Sequence, residues 1–284
     1  MAHALSCRFG FAKDELLAET HYAAPRKLRA FPELGRGVKL TMRLRGSDLV
    51  PPFLLHRLLG FLQRAFPNVV RSPEQEECYS QEGEDLVAAR LLADKPGGGF
   101  YVDVGAHHPI RHSNTYLLYR RGWRGINIDA TPGSMVEFRR LRPRDINVES
   151  LVASDPALRR FYVFNEPALN TASSELAIDR PVENAQYQVT NEFVLRPRTF
   201  ASLLDEFLPG GTAIDLMSVD VEGLDLDVLR SNDWERYRPT LLLVELLGTN
   251  LANIESHEIA CFLRDQQYRP IAKLYNTVIF RHGV

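Results

Sequence analysis

The chain has 284 residues, 45% hydrophobic and 25% charged, with a formal net charge of -2. That composition belongs to a soluble globular protein, and the charge gives no whole-molecule case for binding nucleic acid. No apolar run of about 18 residues reads as a membrane span, and the three scattered cysteines, Cys7, Cys78 and Cys261, form no CxxC pair, which argues against a disulfide framework or structural zinc and for a reducing, cytoplasmic setting.

Residues 1–75 read as an N-terminal extension, irregular in pattern, before a domain over 76–284. Nothing in it has the order of a secretory leader. Its one strong element is an amphipathic helix over 51–66, opened by Pro51-Pro52 and carrying Phe53, Leu54, Leu55, Leu58, Leu59, Phe61, Leu62 and Phe66 at helical spacing. Such a helix packs on the domain or on a second copy of the chain, or lies on a membrane surface as a peripheral contact.

From Ser80 a strand–helix alternation begins. Ser80 caps a helix through Leu92, and Gly97-Gly98-Gly99 breaks it. Phe100–Val104 is a short, nearly continuous apolar strand, the kind a parallel sheet buries. Ser113-Asn114 caps a helix to Arg121, stopped by Gly122. Strands follow at 125–129 and 146–152 with a helix over 134–141 between them, then a further strand at 159–164. The segment 165–195 is loop-rich. Thr199 caps a helix through Phe207, Leu216–Val221 is a strand, 224–230 a helix and 240–246 a strand. Ser256 caps a helix to Gln266, and 269–274 with 277–281 form a hairpin through Tyr275-Asn276.

Alternating strands and helices give an α/β, Rossmann-like fold: a mostly parallel seven-stranded sheet with helices on both faces and a C-terminal antiparallel hairpin. Ligands bind such sheets at the carboxyl ends of the strands, so the chemistry belongs just after Asp103, Asp129, Val152, Asp220 and Glu245.

Three places there carry chemistry. Asp103-Val104-Gly105-Ala106-His107 is a small-residue turn that lets backbone approach a ligand. It has one glycine rather than GxGxxG, so a pyrophosphate-bearing dinucleotide is disfavoured. Asp129, ending the second strand, is placed to accept hydrogen bonds from a ribose diol, or else to cap the next helix. Asp220 and Glu222 share a face if their strand persists. They then form a carboxylate pair able to act as a base or to hold a hard cation such as Mg2+, or are bonded to backbone amides alone.

His107, His108 and His112 crowd the mouth and can take a proton near neutral pH. Arg111 is placed to hold an anionic group of a substrate. The other arginines of 120–144 read as solvated helix faces.

Ser80-Gln81-Glu82-Gly83-Glu84-Asp85, Gly99-Phe100-Tyr101-Val102-Asp103-Val104-Gly105-Ala106, Ser113-Asn114-Thr115, Gly122-Trp123-Arg124-Gly125 and Val219-Asp220-Val221-Glu222-Gly223 together resemble the FkbM-type methyltransferases. The resemblance covers about residues 78–246. It implies the class I methyltransferase form of the fold, S-adenosylmethionine as donor, and O-methylation of a sugar, polysaccharide or secondary metabolite. It places Gln81, Asp103, Gly105, Ala106, Ser113, Asn114 and Asp129 around the cofactor, Ser154 and Asp155 toward the adenine, and Asp220 and Glu222 near the reacting centre. Where many relatives read Gly-Ala-Asn-x-Gly, this chain has Gly105-Ala106-His107-His108-Pro109.

The expected chemistry is an in-line methyl transfer with His107 or His108 as base, assisted by Asp220 and Glu222. In a second version those two carboxylates hold a divalent cation. Arg111, His112, Thr171 and Ser173 line the acceptor side, the last two within a lid or pocket segment. The rival classes are an NAD(P)-dependent oxidoreductase, which lacks its phosphate loop, and a non-catalytic Rossmann-like interaction module.

Overall fold

The computed structural model describes the backbone strands at 6–11, 18–21 and 40–43, and residues 76–95 and 98–283. The helix expected over 51–66 lies outside the described residues. The chain divides into two compact units, Met1–Glu76 and Glu77–Val284. In the first, β1 (Ser6–Phe11), β2 (Ala18–His21) and β3 (Leu40–Arg43) form an antiparallel sheet in the order β2-β1-β3, regular structure in a stretch that the sequence left unpatterned.

The second unit opens with α1 (Glu84–Leu91) and β4 (Phe100–Val104), followed by α2 (Tyr116–Arg120), β5 (Arg124–Asp129), α3 (Met135–Leu141) and β6 (Ile146–Glu149). Then come β7 (Arg159–Phe164), α4 (Ser174–Glu183), β8 (Val189–Leu195), α5 (Phe200–Phe207), β9 (Leu216–Val219) and α6 (Asp225–Arg230). The elements β10 (Leu241–Glu245), α7 (Glu258–Asp265), β11 (Tyr268–Lys273) and β12 (Thr277–His282) complete it.

The main sheet has seven strands in the order β11-β12-β10-β9-β4-β5-β6. All neighbours are parallel except β12, which runs antiparallel to both β10 and β11. This is the class I methyltransferase form of the α/β fold, as the hairpin and the strand pattern predict.

Burial explains why the central strands read so clearly. Every residue of β9 is buried, as are Leu241–Val244 of β10, so each needs apolar side chains on both faces. Helix α5 buries Phe200, Leu203 and Leu204, the i, i+3, i+4 stripe of a helix laid on a sheet, and α7 buries Ile259, Ala260 and Leu263 on one face. Thr199 caps α5 as predicted, its hydroxyl accepting from Ser202 N–H at 3.2 Å.

Several boundaries differ. The helix expected from Ser80 begins at Glu84, because residues 80–83 form a bend; the Ser80 hydroxyl accepts from the N–H groups of Gly83 and Asp85 instead. The cap of α7 is His257, whose Nδ1 accepts from Ile259 N–H at 3.3 Å, while Ser256 ends a 3-10 turn. The strand expected through Val152 stops at Glu149, and the one expected through Val221 stops at Val219.

The segment read as loop-rich, 165–195, holds a 3-10 turn at Pro167–Leu169, helix α4 and strand β8. It escaped because α4 buries only Ala177 and carries Pro181, and no residue of β8 is buried. β8 exists by pairing with β7, from Arg159↔Leu195 to Phe164↔Val189, and pairing leaves no apolar period to read.

Candidate active site

At the carboxyl end of β4 the chain turns at Gly105, where φ is +82° and an added Cβ would stand 1.7 Å from the carbonyl oxygen of Asp220. Only glycine permits that approach. The N–H groups of Gly105 and Ala106 both donate to the carbonyl of Ile128, at 2.9 and 3.0 Å, and Asp220 N–H donates to the Val104 carbonyl at 3.0 Å. Three strand ends are thereby sewn together at one point. The next helix starts only at Tyr116, so the turn does not run directly into a helix N-terminus as the dinucleotide-binding turn does.

His107 follows with φ +53°, left-handed for a residue that is not glycine. Its N–H donates to Asp129 Oδ2 at 2.9 Å, and Asp129 Oδ1 accepts from Thr131 N–H at 2.8 Å. Asp129 therefore anchors backbone on both sides. Burial raises its pKa, and the donors at Thr131 and His107 oppose that. The hydroxyls of Thr131 and Ser134 also favour its ionised form, and the carboxylate lines the first of the clefts below.

Two clefts share this wall. One, with an empty volume of about 530 Å³, is lined by Gly105, His107, Ile128, Asp129, Thr131, Ser150, Leu151, Val152, Phe161, Ala168, Asn170 and Asp220, among others. The other, of about 460 Å³, is lined by Gln81, Asp103, Gly105, Ala106, His107, His112, Asn114, Ala168, Ser218, Asp220 and Glu222. His107 Nε2 is buried with no hydrogen-bond partner. Burial, then the charge of Arg111 and the neighbouring histidines, pushes the His107 pKa down to about 4, so its ring is neutral at pH 7.

Carboxylates gather opposite. Asp220, Glu222 and Glu245 each bring an oxygen within 4.8 Å of the others. Asp220 Oδ1 is buried without a partner, and desolvation followed by Glu245 and Glu222 raises its pKa well above the usual carboxylate range. Burial and Glu222 push Glu245 up to about 8. Glu222 is ion-paired with Arg180 of α4. The expected shared strand face is not what brings Asp220 and Glu222 together, because β9 ends before them and Glu222 has φ +55°. Asp225 shapes the loop, accepting from Val221 and Gly223 N–H groups at 3.1 and 3.2 Å.

The structure separates the sequence candidates. Gln81, Asp103, Gly105, Ala106, His107, His112, Asn114, Asp129, Asp220 and Glu222 line the clefts. His108 does not: its Nδ1 accepts from Ile110 and Arg111 N–H groups, and its Nε2 lies 3.4 Å from Glu137. Arg111 is paired with Glu166 at 2.9 Å, outside the lining. Ser113 is buried beneath the site, accepting from Tyr116 N–H. Ser154 bonds Asp227 and Asp155 caps Ala157 N–H, so neither lines a cleft; Ser150, Leu151 and Val152 hold that place. Thr171 donates to the Glu222 carbonyl at 2.6 Å and Ser173 caps α4, whereas their neighbours Asn170 and Ala172 are lining residues.

Sequence reasoning missed Arg180, hidden in the supposed loop, and Arg142, read as a solvated helix face but fully buried. Glu245 was marked only as a strand end; an acid closing an apolar strand was its one signal.

Residues 103–270 match the methyltransferase FkbM domain. No curated protein matches the chain. Among solved structures, the METTL16 methyltransferase domain is 11% identical, covering 86% of this chain and 84% of that one, with a TM-score of 0.39. A human methyltransferase 10 domain containing protein is 12% identical, covering 83% of this chain and 98% of that one, at a TM-score of 0.35. Likenesses so distant have no bearing on the reaction. The domain match spans more than half of the chain and includes the turn, Asp129 and the carboxylate loop described above, and the protein belongs to the FkbM methyltransferase family.

Proposed function

We propose that this protein is an S-adenosylmethionine-dependent O-methyltransferase acting on a hydroxyl of a sugar, polysaccharide or secondary metabolite. Family membership implies the donor, and the residues present fit it. The cleft with Asp129, Ile128 and the 150–152 backbone suits an adenosine: a carboxylate for the ribose and apolar walls for the base. In the second cleft Asp103, Gln81 and Asn114 would hold the amino-acid portion, with Asp103 for its ammonium.

The observation that carries the reading is the pair of buried, unpartnered atoms at the wall common to both clefts, His107 Nε2 and Asp220 Oδ1. Bound sulfonium supplies an activated methyl group, and the protein must then align a hydroxyl and remove its proton. A histidine with a pKa near 4 is a weak base at pH 7. Asp220 in its ionised form is the stronger base of the two, since burial and the neighbouring carboxylates favour its protonation, and His107 orients the hydroxyl. His108, turned toward Glu137, has no part in it.

A second reading keeps a divalent cation on Asp220, Glu222 and Glu245, which are close enough to share one. Arg180 already supplies positive charge to Glu222, which favours the cation-free version. Calorimetric titration with S-adenosylhomocysteine, with and without magnesium and with NAD as control, tests both. Magnesium-independent binding, and none of NAD, supports the first reading; a magnesium requirement supports the second. No binding of S-adenosylhomocysteine under either condition refutes both.

A further inference from the structure

We propose that Arg142 and Thr115 are positioning residues for the methyl donor, acting through Asp103. Arg142, at the C-terminal end of α3, has a side chain with no solvent exposure. Its Nε donates to Asp145 Oδ2 at 2.8 Å, and one terminal nitrogen donates to the Tyr101 hydroxyl at 2.7 Å and to Thr115 Oγ1 at 2.9 Å. The rings of Tyr101, Tyr119 and Phe138 surround the guanidinium with centroids 5.2 to 5.6 Å away.

A buried charge is costly unless paired, and Asp145 is its nearest partner. That carboxylate is already taken, accepting also from Tyr101 OH, Gly125 N–H and Asn127 Nδ2. The remaining field of the cation reaches the cleft through Thr115. A guanidinium only donates, so Thr115 Oγ1 must accept from Arg142. Its single proton is thereby directed to Asp103 Oδ2, 2.7 Å away. A hydroxyl polarised by a cation is a stronger donor to the carboxylate beyond it.

Asp103 needs that help. It is buried, which favours its neutral form, and Asp129 and Asp145 add like charge; the Thr115 hydroxyl and the Arg142 charge oppose them. A neutral acid would not attract the donor's ammonium. The relay holds Asp103 ionised and fixes one of its oxygens, leaving the other for the ligand.

The inference rests on the reading of Asp103 as the ammonium's partner, and the test separates the two. Affinities for S-adenosylhomocysteine and for 5′-methylthioadenosine, which lacks the amino-acid portion, are measured on Thr115→Val, Thr115→Ser, Arg142→Lys and Asp103→Asn. Thr115→Val is expected to lose roughly ten- to a hundredfold for S-adenosylhomocysteine, the worth of a hydrogen bond to a charged group, with 5′-methylthioadenosine unchanged. Thr115→Ser restores the loss. Arg142→Lys keeps the charge but not the fork, and shows the same selective loss should Thr115→Val not fold. Equal loss for both ligands would mean that Thr115 only shapes the turn, and no loss would mean that it does nothing; either overturns the inference while Asp103→Asn still weakens S-adenosylhomocysteine alone. An Asp103→Asn variant with full affinity overturns the reading of Asp103 and the inference with it.

Discussion

His107 and Asp129 fix one another: the backbone N–H of the histidine is held at 2.9 Å by the carboxylate, and the histidine keeps a left-handed backbone at φ +53°. The strain at one residue is therefore tied to the carboxylate of the other, which lines the cleft. Replacing Asp129 with Ala removes the acceptor for His107, the acceptor for Thr131 and the proposed ribose contact together. Affinity for S-adenosylhomocysteine should fall by about a hundredfold or more, given the worth of hydrogen bonds to a charged group. Calorimetry that finds it unchanged refutes the ribose role.

The pKa of His107 is lowered to about 4, against about 6.5 in an unfolded chain. The unfolded state therefore binds more protons between those values, and the contribution of this group to stability is present above about pH 6.5 and lost as pH falls toward 4. Thermal melts of the wild type from pH 7 to 4.5 should fall more steeply than those of His107→Gln. Parallel curves would show that the ring is not desolvated.

Gly105 has no room for a methyl group, since the obstacle is the Asp220 backbone rather than a movable side chain. Gly105→Ala should cost about 2 kcal/mol or more in denaturant unfolding, and it should weaken S-adenosylhomocysteine binding because two strand ends are forced apart.

The Arg180–Glu222 pair is mostly buried, with side-chain exposures of 11% and 16%. Arg180→Met strands Glu222 among other carboxylates and should cost about 3 kcal/mol, as removal of one partner of a buried pair does. Adding Glu222→Gln should recover most of that. A double-mutant cycle with no coupling would show that α4 is held by its other contacts alone.

What was legible in the sequence followed burial. Asp103 and Asp129 stand in or at the end of strands buried on both faces, so an acidic residue there is conspicuous. His108, Ser154 and Thr171 lie within a residue or two of lining positions but point elsewhere, because in a turn one step along the chain reverses a side chain. Asp220 and Glu222 do meet, through a left-handed residue rather than through strand alternation. Arg142 was misread because a helix-end arginine looks the same in sequence whether solvated or enclosed by Tyr101, Tyr119 and Phe138. The elements α4 and β8 were invisible because strand pairing and the ion pairs Arg180–Glu222 and Arg160–Glu192, not an apolar stripe, hold them.

The strand order has a consequence for biosynthesis. β12 is the last strand in chain order, yet it lies between β10 and β11, bonded from Leu241↔Arg281 to Glu245↔Thr277. Until a ribosome has released Thr277–His282, the apolar β10 has one bare edge, and such an edge invites pairing with other chains. The nascent domain thus depends on late synthesis for closure, and a stalled or truncated product ending after β11 should be captured by chaperones or aggregate, although every cleft residue has already been made.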